Sequence, residues 1–437
     1  MISRWGPFTN MRNVISSGQI VIDRAQGSYV WDEAGNKYLD AHAGLWLANV
    51  GYGRTEIIEA MHKQSEKLNW FSSFSGFANR PSLELADRLI QLLAPDNMAA
   101  VFYSNDGSEA VETALKISRE YWKLVGKPQK TKLIGRQHAY HGVTMGALSV
   151  AGITPNRKDF EPLLPDVRHV PAPDCHHCIF HPHDTECTMA CARELERVIQ
   201  FEDPNTVAAF IAEPIQAAGG VIVPPPGYLE EVWSICERYD VLFIADEVVT
   251  GFGRLGSWTG SRHYHIQPDV MTFAKGVTSG YFPLGVSAVS SKILNAFTEN
   301  SCGNGPEFRH GNTYSAHPVA CAAALANIDI LERENLVDAA KNQGQYLAEK
   351  LQDLAREFPD HVDNVACEGL LGRLELKVQP GEIRGGKGER VEKLMRQQGV
   401  IVRAVGDVIT FSPPFIITRL EIDQIITALR KALSQYQ

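Results

Sequence analysis

The sequence predicts an α/β fold: a large domain with a mostly parallel sheet covered by helices, and a smaller α+β domain built from both ends of the chain. Short apolar segments alternate with amphipathic segments of helical length between residue 71 and about residue 325. The chain has 437 residues, too many for one ordinary core. Its 44% hydrophobic and 21% charged residues are typical of a soluble globular protein.

Residues 1–70 are predicted to form the N-terminal part of the small domain, because they carry short strand signals. The segment 27–41, "GSYVWDEAGNKYLDA", is predicted to form a hairpin with its turn near Gly35–Asn36. Residues 71–325 are predicted to form the large domain. Its expected strands are Val101–Ser104, Lys132–Gly135, Val207–Ala212, Val241–Ala245 and Val270–Phe273, and its expected helices include Ser82–Leu93, Ser108–Trp122 and Tyr228–Arg238.

Residues 326–437 are predicted to complete the small domain, and a helix over His317–Leu331 leads into them. Strands are expected near Leu370–Val378 and Val408–Phe411, with a closing helix over Arg419–Tyr436. In open α/β sheets ligands bind beyond the carboxyl ends of the strands, so polar residues at those ends are the candidates for function.

Charge and hydropathy exclude several classes of protein. The net charge of -9 and pI of about 5.9 disfavour binding to nucleic acid. No apolar run approaches the ~18 residues of a membrane span, and the N-terminus has no secretory pattern. A cytoplasmic location with reduced thiols is therefore expected. A nicotinamide dehydrogenase is disfavoured because no G-x-G-x-x-G follows an early strand.

A candidate phosphate site follows the first central strand, in the sequence "VFYSNDGSEA". Free N–H groups at the start of a helix bind phosphate, and Gly107 would allow close approach while Ser108 adds a hydroxyl. The alternative is an ordinary turn in which Ser108 is the N-cap.

Two further strands end in chemically capable groups. Asp246 follows an apolar strand and could pair with a protonated ring nitrogen, or else cap a helix or pair with Arg254. Lys275 follows another, and a desolvated lysine is a nucleophilic amine able to form a Schiff base. The alternative for Lys275 is a surface lysine that begins a loop.

An aromatic residue completes the set, since Tyr140 could stack on a flat heteroaromatic ring, although it could also be a core tyrosine. The adjacent His141 is expected to be a hydrogen-bonded structural histidine. Together these groups match pyridoxal 5'-phosphate (PLP). The site at Gly107–Ser108 suits its phosphate and Tyr140 its ring face. Asp246 suits its ring nitrogen and Lys275 its aldehyde.

Asp246 lies in "IADEVVTGFGR" and Lys275 in "TFAKG". With "GNTYSAHP", these motifs resemble the class III aminotransferases of PLP fold type I, and the resemblance covers nearly the whole chain. The resemblance implies that Lys275 carries the cofactor and Asp246 pairs with its ring nitrogen. It also implies a homodimer or a tetramer with shared active sites. The implied cofactor-binding residues are Gly107, Ser108, Tyr140, Glu213, Asp246, Val248, Lys275 and, from the neighbouring subunit, Thr313.

The chain most resembles the subgroup of amine or omega-amino acid:pyruvate transaminases, through "AGLWLANVGYGR" and "IVRAVGDVITFSPPF". By this resemblance Leu45, Trp46 and Tyr140 line the substrate pocket, and Arg403 binds a substrate carboxylate. The expected activity is ping-pong transfer of an amino group from an amine to pyruvate or a related keto acid. Val249 stands where relatives specific for gamma-aminobutyrate or ornithine carry Gln. Asp106, next to the candidate phosphate site, is expected to point outward or cap the helix.

The donor stays open among taurine, beta-alanine, diamines and aryl alkylamines. Rival functions are a decarboxylating transaminase or an aminomutase on the same fold, and a catalytically silent binding protein.

One segment, "PDCHHCIFHPHDTECTMAC", has no place in this chemistry. No metal is expected in the active site. The cysteines Cys175, Cys178, Cys187 and Cys191 could be reduced thiols of a surface loop, ligands of a structural zinc ion, or partners in disulfides.

Overall fold

The computed structural model describes residues 3–181, 187–299, 306–379, 382–383 and 385–435, apart from the side chain of residue 17. In these parts of the chain the strands are β1 Ile22–Gln26, β2 Tyr29–Asp32, β3 Lys37–Asp40, β4 Met98–Ser104, β5 Lys132–Arg136, β6 Val167–Val170, β7 Val207–Ala212, β8 Leu242–Asp246, β9 Val270–Phe273, β10 Gly285–Ser290, β11 Val362–Glu368, β12 Leu371–Leu376, β13 Val400–Ile401, β14 Arg403–Val405 and β15 Val408–Phe411.

The α-helices of the same ranges are α1 Met11–Ser17, α2 Ala43–Trp46, α3 Thr55–Lys67, α4 Arg80–Leu93, α5 Gly107–Leu124, α6 Met145–Val150, α7 Thr154–Arg157, α8 Ala190–Phe201, α9 Tyr228–Arg238, α10 Gly260–His263, α11 Ser291–Thr298, α12 Pro318–Arg333, α13 Leu336–Glu357, α14 Gly386–Gln397 and α15 Arg419–Ser434. None of these helices has both the length and the apolar character that crossing a bilayer requires.

The centre of the molecule is a seven-stranded sheet in the order β4-β10-β9-β8-β7-β5-β6. Its strands from β9 to β6 are parallel, which confirms the predicted mostly parallel sheet. Strands β7, β8 and β9 are buried along their whole length because both faces of the sheet are covered, so they show continuous apolar runs. Strand β10 is antiparallel to β4 and β9, a feature the sequence analysis did not predict.

The remaining strands form two smaller four-stranded sheets, β1-β2-β3-β13 and β11-β12-β15-β14. The predicted hairpin is present as β2 and β3, with Tyr29 opposite Leu39. The two-residue strand β13 pairs in parallel with β3, so the N-terminal and C-terminal segments share one sheet. The domain boundaries near residues 70 and 325 stay predictions.

Arg254, in the segment after β8, connects these parts of the chain. Its guanidinium is fully buried and donates to the carbonyls of Leu370 and Pro413 and to Asn49 Oδ1. Arg254 therefore holds three parts of the chain together. It forms no ion pair with Asp246 among the described residues, so the alternative pairing considered for that aspartate is wrong.

Candidate active site

A cavity of about 740 Å³ lies among residues that follow the central strands. It brings together ten of the residues singled out from the sequence: Leu45, Trp46, Gly107, Ser108, Tyr140, Glu213, Asp246, Val248, Lys275 and Arg403. Thr313 is exposed and does not line this cavity. Its expected contact with a cofactor therefore requires a second subunit.

The turn between β4 and α5 forms one wall of the cavity. Asp106 is the N-cap of α5, and its Oδ1 accepts a hydrogen bond from the backbone N–H of Glu109 at 2.9 Å. This confirms the expected capping role of Asp106 and shows that Ser108 is not the cap. Gly107 and Ser108 are the first two residues of α5, so their N–H groups have no acceptor within the helix and suit a phosphate.

Glycine is required at two places around this turn. A Cβ on Gly107 would lie 3.0 Å from a methyl carbon of Val248. Gly142 has a φ of +131°, and a Cβ there would lie 2.6 Å from Ser108 Oγ. Ser108 Oγ also accepts a hydrogen bond from the N–H of Val143 at 3.2 Å. The segment after Tyr140 therefore fixes the position of the Ser108 hydroxyl.

Replacing Gly142 tests the phosphate site. We expect Gly142→Ala to raise the dissociation constant for PLP about 10-fold or more, because the added methyl group displaces Ser108 and strains the backbone. PLP titration followed by absorbance measures the effect. Gly126→Ala is the matched control, since Gly126 also has a positive φ (+79°) but nothing within 4 Å of an added Cβ. Equal PLP affinity in the two variants would contradict the prediction.

Asp246 ends β8 and is buried at the edge of the cavity. Its Oδ2 lies 2.7 Å from His141 Nδ1, and its Oδ1 accepts from the N–H of Val248 and the hydroxyl of Thr272. His141 is buried too, and its Nε2 has no hydrogen-bond partner among the described residues. His141 is thus the hydrogen-bonded histidine expected from the sequence, but its partnership with Asp246 was missed.

Lys275 follows β9, the strand paired with β8, in a backbone conformation with φ of 27°. Burial lowers the pKa of its amine, and the carboxylate of Asp246 opposes that shift. Its Nζ lies 5.9 Å from the centroid of the Trp46 ring and has no ion-pair partner in the described parts of the chain. Lys275 is therefore a desolvated amine facing a cavity, not a surface lysine of a loop.

Glu213 lies behind Tyr140 rather than in open contact with solvent. Its two carboxylate oxygens accept the backbone N–H groups of Tyr140 at 3.0 Å and Ala217 at 3.1 Å. Burial raises the pKa of Glu213 to about 7. These bonds hold the backbone at Tyr140, whose ring is half-buried and lines the cavity.

The mouth of the cavity has one cation and several apolar walls. Arg403 is exposed, its guanidinium carbon lies 5.3 Å from the centre of the Trp46 ring, and no carboxylate pairs with it among the described side chains. An ion pair with a surface carboxylate, the alternative role for Arg403, is therefore not formed in the described parts of the chain. Pro7, Phe8 and Ile153 add apolar surface. No pattern in the sequence singled out these three.

The residues fit PLP. The cavity wall offers unpaired helix N–H groups and a hydroxyl for the phosphate, and no side chain at Gly107 obstructs them. A buried carboxylate is available for the ring nitrogen, and the half-buried, desolvated amine of Lys275 for the aldehyde. Fold and site together define a PLP-dependent enzyme.

Comparison with known proteins gives the family. The model of the class III aminotransferases matches residues 12–433, so the chain belongs to that family and is a PLP-dependent aminotransferase. Putrescine–pyruvate aminotransferase of Pseudomonas aeruginosa is 41% identical over 98% of this chain and 93% of its own. Beta-alanine–pyruvate aminotransferase of the same organism is 38% identical over 99% and 95%.

Solved structures agree with this assignment. An amine transaminase from an uncultivated Pseudomonas species, in its PLP-bound form, superposes with a TM-score of 0.95 at 38% identity, covering 100% of this chain and 99% of the other. The (S)-enantioselective omega-transaminase of Thermomicrobium roseum gives 0.93 at 41% identity, covering 98% and 96%. The predicted family, fold class, activity and cofactor are thereby confirmed.

Proposed function

We propose that this aminotransferase moves an amino group from a primary amine or omega-amino acid to pyruvate or a closely related keto acid, in two half-reactions at one site. The carrying observation is the cavity itself, which is lined by the desolvated amine of Lys275, the buried carboxylate of Asp246 and the exposed, unpaired guanidinium of Arg403. Two relatives whose names specify pyruvate support the acceptor.

Each buried group has a distinct task in this proposal. Bound PLP supplies an aldehyde that accepts amines and a ring that accepts electrons. Lys275 Nζ holds the cofactor and then takes the proton from the donor carbon that carries nitrogen. Asp246 Oδ2 keeps a proton on the ring nitrogen, and His141 orients that carboxylate. Tyr140 and Val248 bracket the ring, and Glu213 holds the Tyr140 backbone.

Arg403 is proposed to recognise the carboxylate of the keto acid, and Leu45 and Trp46 to contact the apolar part of either substrate. The lining beyond these residues is mostly apolar and offers Pro7, Phe8 and Val249 to an uncharged amine. A site with one exposed guanidinium and apolar walls accepts both an acid and a neutral amine.

Replacing Arg403 is expected to affect the kinetics of the keto acid and of the amine differently. We expect Arg403→Leu to raise the KM for pyruvate about 10- to 100-fold, because a charge-assisted hydrogen bond contributes about 1.5–3 kcal/mol. The kcat/KM for an uncharged donor such as 1-phenylethylamine should change by less than about 3-fold. Arg356→Leu, on the exposed face of α13, is the control. Equal losses for both substrates would contradict the proposed role.

A homodimer with shared active sites is also proposed, and its support is the exposed surface around Thr313. Phe71, Phe74, Phe77 and Tyr314 are all about half exposed, which is unusual for a cluster of large apolar side chains. Phe74 lies against Gly311, beside the Thr313 segment. A dimer would cover this surface and bring Thr313 to the partner's site. Light scattering that gives a monomer mass at micromolar concentration would contradict the dimer. A cytoplasmic location stays a prediction.

The function is tested by a panel of amines offered with pyruvate. Alanine formation should accompany oxidation of the donor to an aldehyde or ketone, and the panel should include putrescine, beta-alanine, taurine and 1-phenylethylamine. Without pyruvate, about one equivalent of carbonyl product per site should appear, as ping-pong chemistry requires. Release of CO₂ would favour a decarboxylating transaminase. Rearranged donor without alanine would favour an aminomutase, and bound PLP without turnover a binding protein.

A further inference from the structure

The loop that joins β6 to α8 gathers four cysteines at one cavity. Cys175, Cys178, Cys187 and Cys191 all line a cleft of about 690 Å³ that is separate from the active site. From this shared placement we propose that the four cysteines bind one structural zinc ion as a tetrathiolate site. The site would fasten the loop to the start of α8.

Two of the four sulfur atoms lie close together. The thiols of Cys175 and Cys187, twelve positions apart in the sequence, are within hydrogen-bonding distance. Cys191 is buried in the first turn of α8 and lines the same cleft.

The spacing is that of paired zinc ligands. Cys175 and Cys178 form a C-x-x-C pair, and Cys187 and Cys191 form a C-x-x-x-C pair whose last member is held by a helix. Zinc prefers four sulfur or nitrogen ligands in a tetrahedron and needs no redox partner. Binding requires only that the four thiols release their protons to solvent as the four Zn–S bonds form.

A second group in the same loop is a rival ligand set. The ligand atoms of His176, His177 and Glu375 lie within 4.8 Å of one another. However, His177 Nε2 lies 2.7 Å from Glu375 Oε1, and His176 Nε2 lies 2.9 Å from Asp363 Oδ2. These histidines therefore already bridge the loop to strands β11 and β12. The zinc site would add a second attachment at the same cleft.

Zinc content measures the proposal directly. The full-length holoenzyme, expressed with zinc supplied and then dialysed, should contain about one zinc per chain. Cys178→Ser and Cys191→Ser should each lose it, and Cys367→Ser should keep it, because Cys367 lies outside the cleft. Treating the unmutated enzyme with a chelator should lower its Tm, with no such shift in Cys178→Ser. The zinc content and the chelator effect are both measured on the unmutated enzyme, so the test holds even if a variant fails to fold.

Three results would overturn the proposal. The first is a trace of zinc only in the unmutated enzyme. The second is fewer than eight titratable thiols in unreduced, denatured enzyme from which metal has been stripped, because the chain has eight cysteines and the missing thiols would be in disulfides. The third is zinc retained in both cysteine variants but lost in His177→Ala, which would assign the ion to the histidine and glutamate group.

Discussion

Lys275→Ala is expected to lower kcat by about 10⁴-fold or more, since it removes both the covalent attachment of PLP and the amine that moves the substrate proton. The wild-type enzyme treated with borohydride should retain PLP irreversibly on the peptide that contains Lys275. The variant should release its PLP on denaturation after the same treatment. Turnover and the mass of the cofactor-bearing peptide are the two measurements.

Two features of the chain make this test clean. Lys275 has no ion-pair partner among the described residues, so alanine leaves no charge behind. Lys123→Ala provides the control, because Lys123 is an exposed lysine near the end of α5. Turnover within about 10-fold of wild type in Lys275→Ala would refute the assignment, since general acid–base catalysis alone contributes about 10²–10⁴-fold.

Asp246→Asn is expected to produce the second largest loss, of about 10²-fold in kcat. The amide keeps the size of the side chain and can still accept from the N–H of Val248. It cannot provide the negative charge that keeps a ring nitrogen protonated, and a charge-assisted hydrogen bond contributes about 1.5–3 kcal/mol. Single-turnover kinetics with the amine donor alone isolate this effect, because they follow proton transfer without product release.

These measurements distinguish a role of Asp246 in keeping the ring nitrogen protonated from a role in stabilising the fold. A structural role would lower the Tm and the affinity for PLP, while the rate of proton transfer in the PLP-bound variant would stay near that of wild type. Asp240→Asn is the matched control, because Asp240 pairs with Lys127 on the surface. An Asp246→Asn enzyme with wild-type kcat would show that the ring nitrogen does not depend on this carboxylate.

The central sheet and its strand ends were predictable because burial on both faces imposes continuous apolar runs. Val207–Ala212 and Val270–Phe273 have the bounds predicted, and Asp246 and Lys275 were found as polar residues that end such runs. Strand direction is not encoded in that pattern. The antiparallel β10 was therefore missed, although its residues are all buried.

Contacts between residues far apart in the sequence could not be predicted either. Asp246 and His141 are 105 residues apart, and nothing local to either one indicates the other. At the start of α5 both Asp106 and Ser108 are acceptable N-caps by residue type, and only the backbone shows that Asp106 has that position. The predicted role of Thr313 depends on a second chain, which one sequence does not position.

The pairing of β13 with β3 has a consequence for biosynthesis. Strand β3 receives its partner at residues 400–401, so about 360 further residues must be translated before that sheet can close, roughly 20–70 seconds at ordinary rates of elongation. Until then the outer edge of β3 presents unpaired backbone groups to other nascent chains. The first strands to leave the ribosome are thus among the last to be completed, and a message truncated before codon 400 would yield a product prone to aggregate.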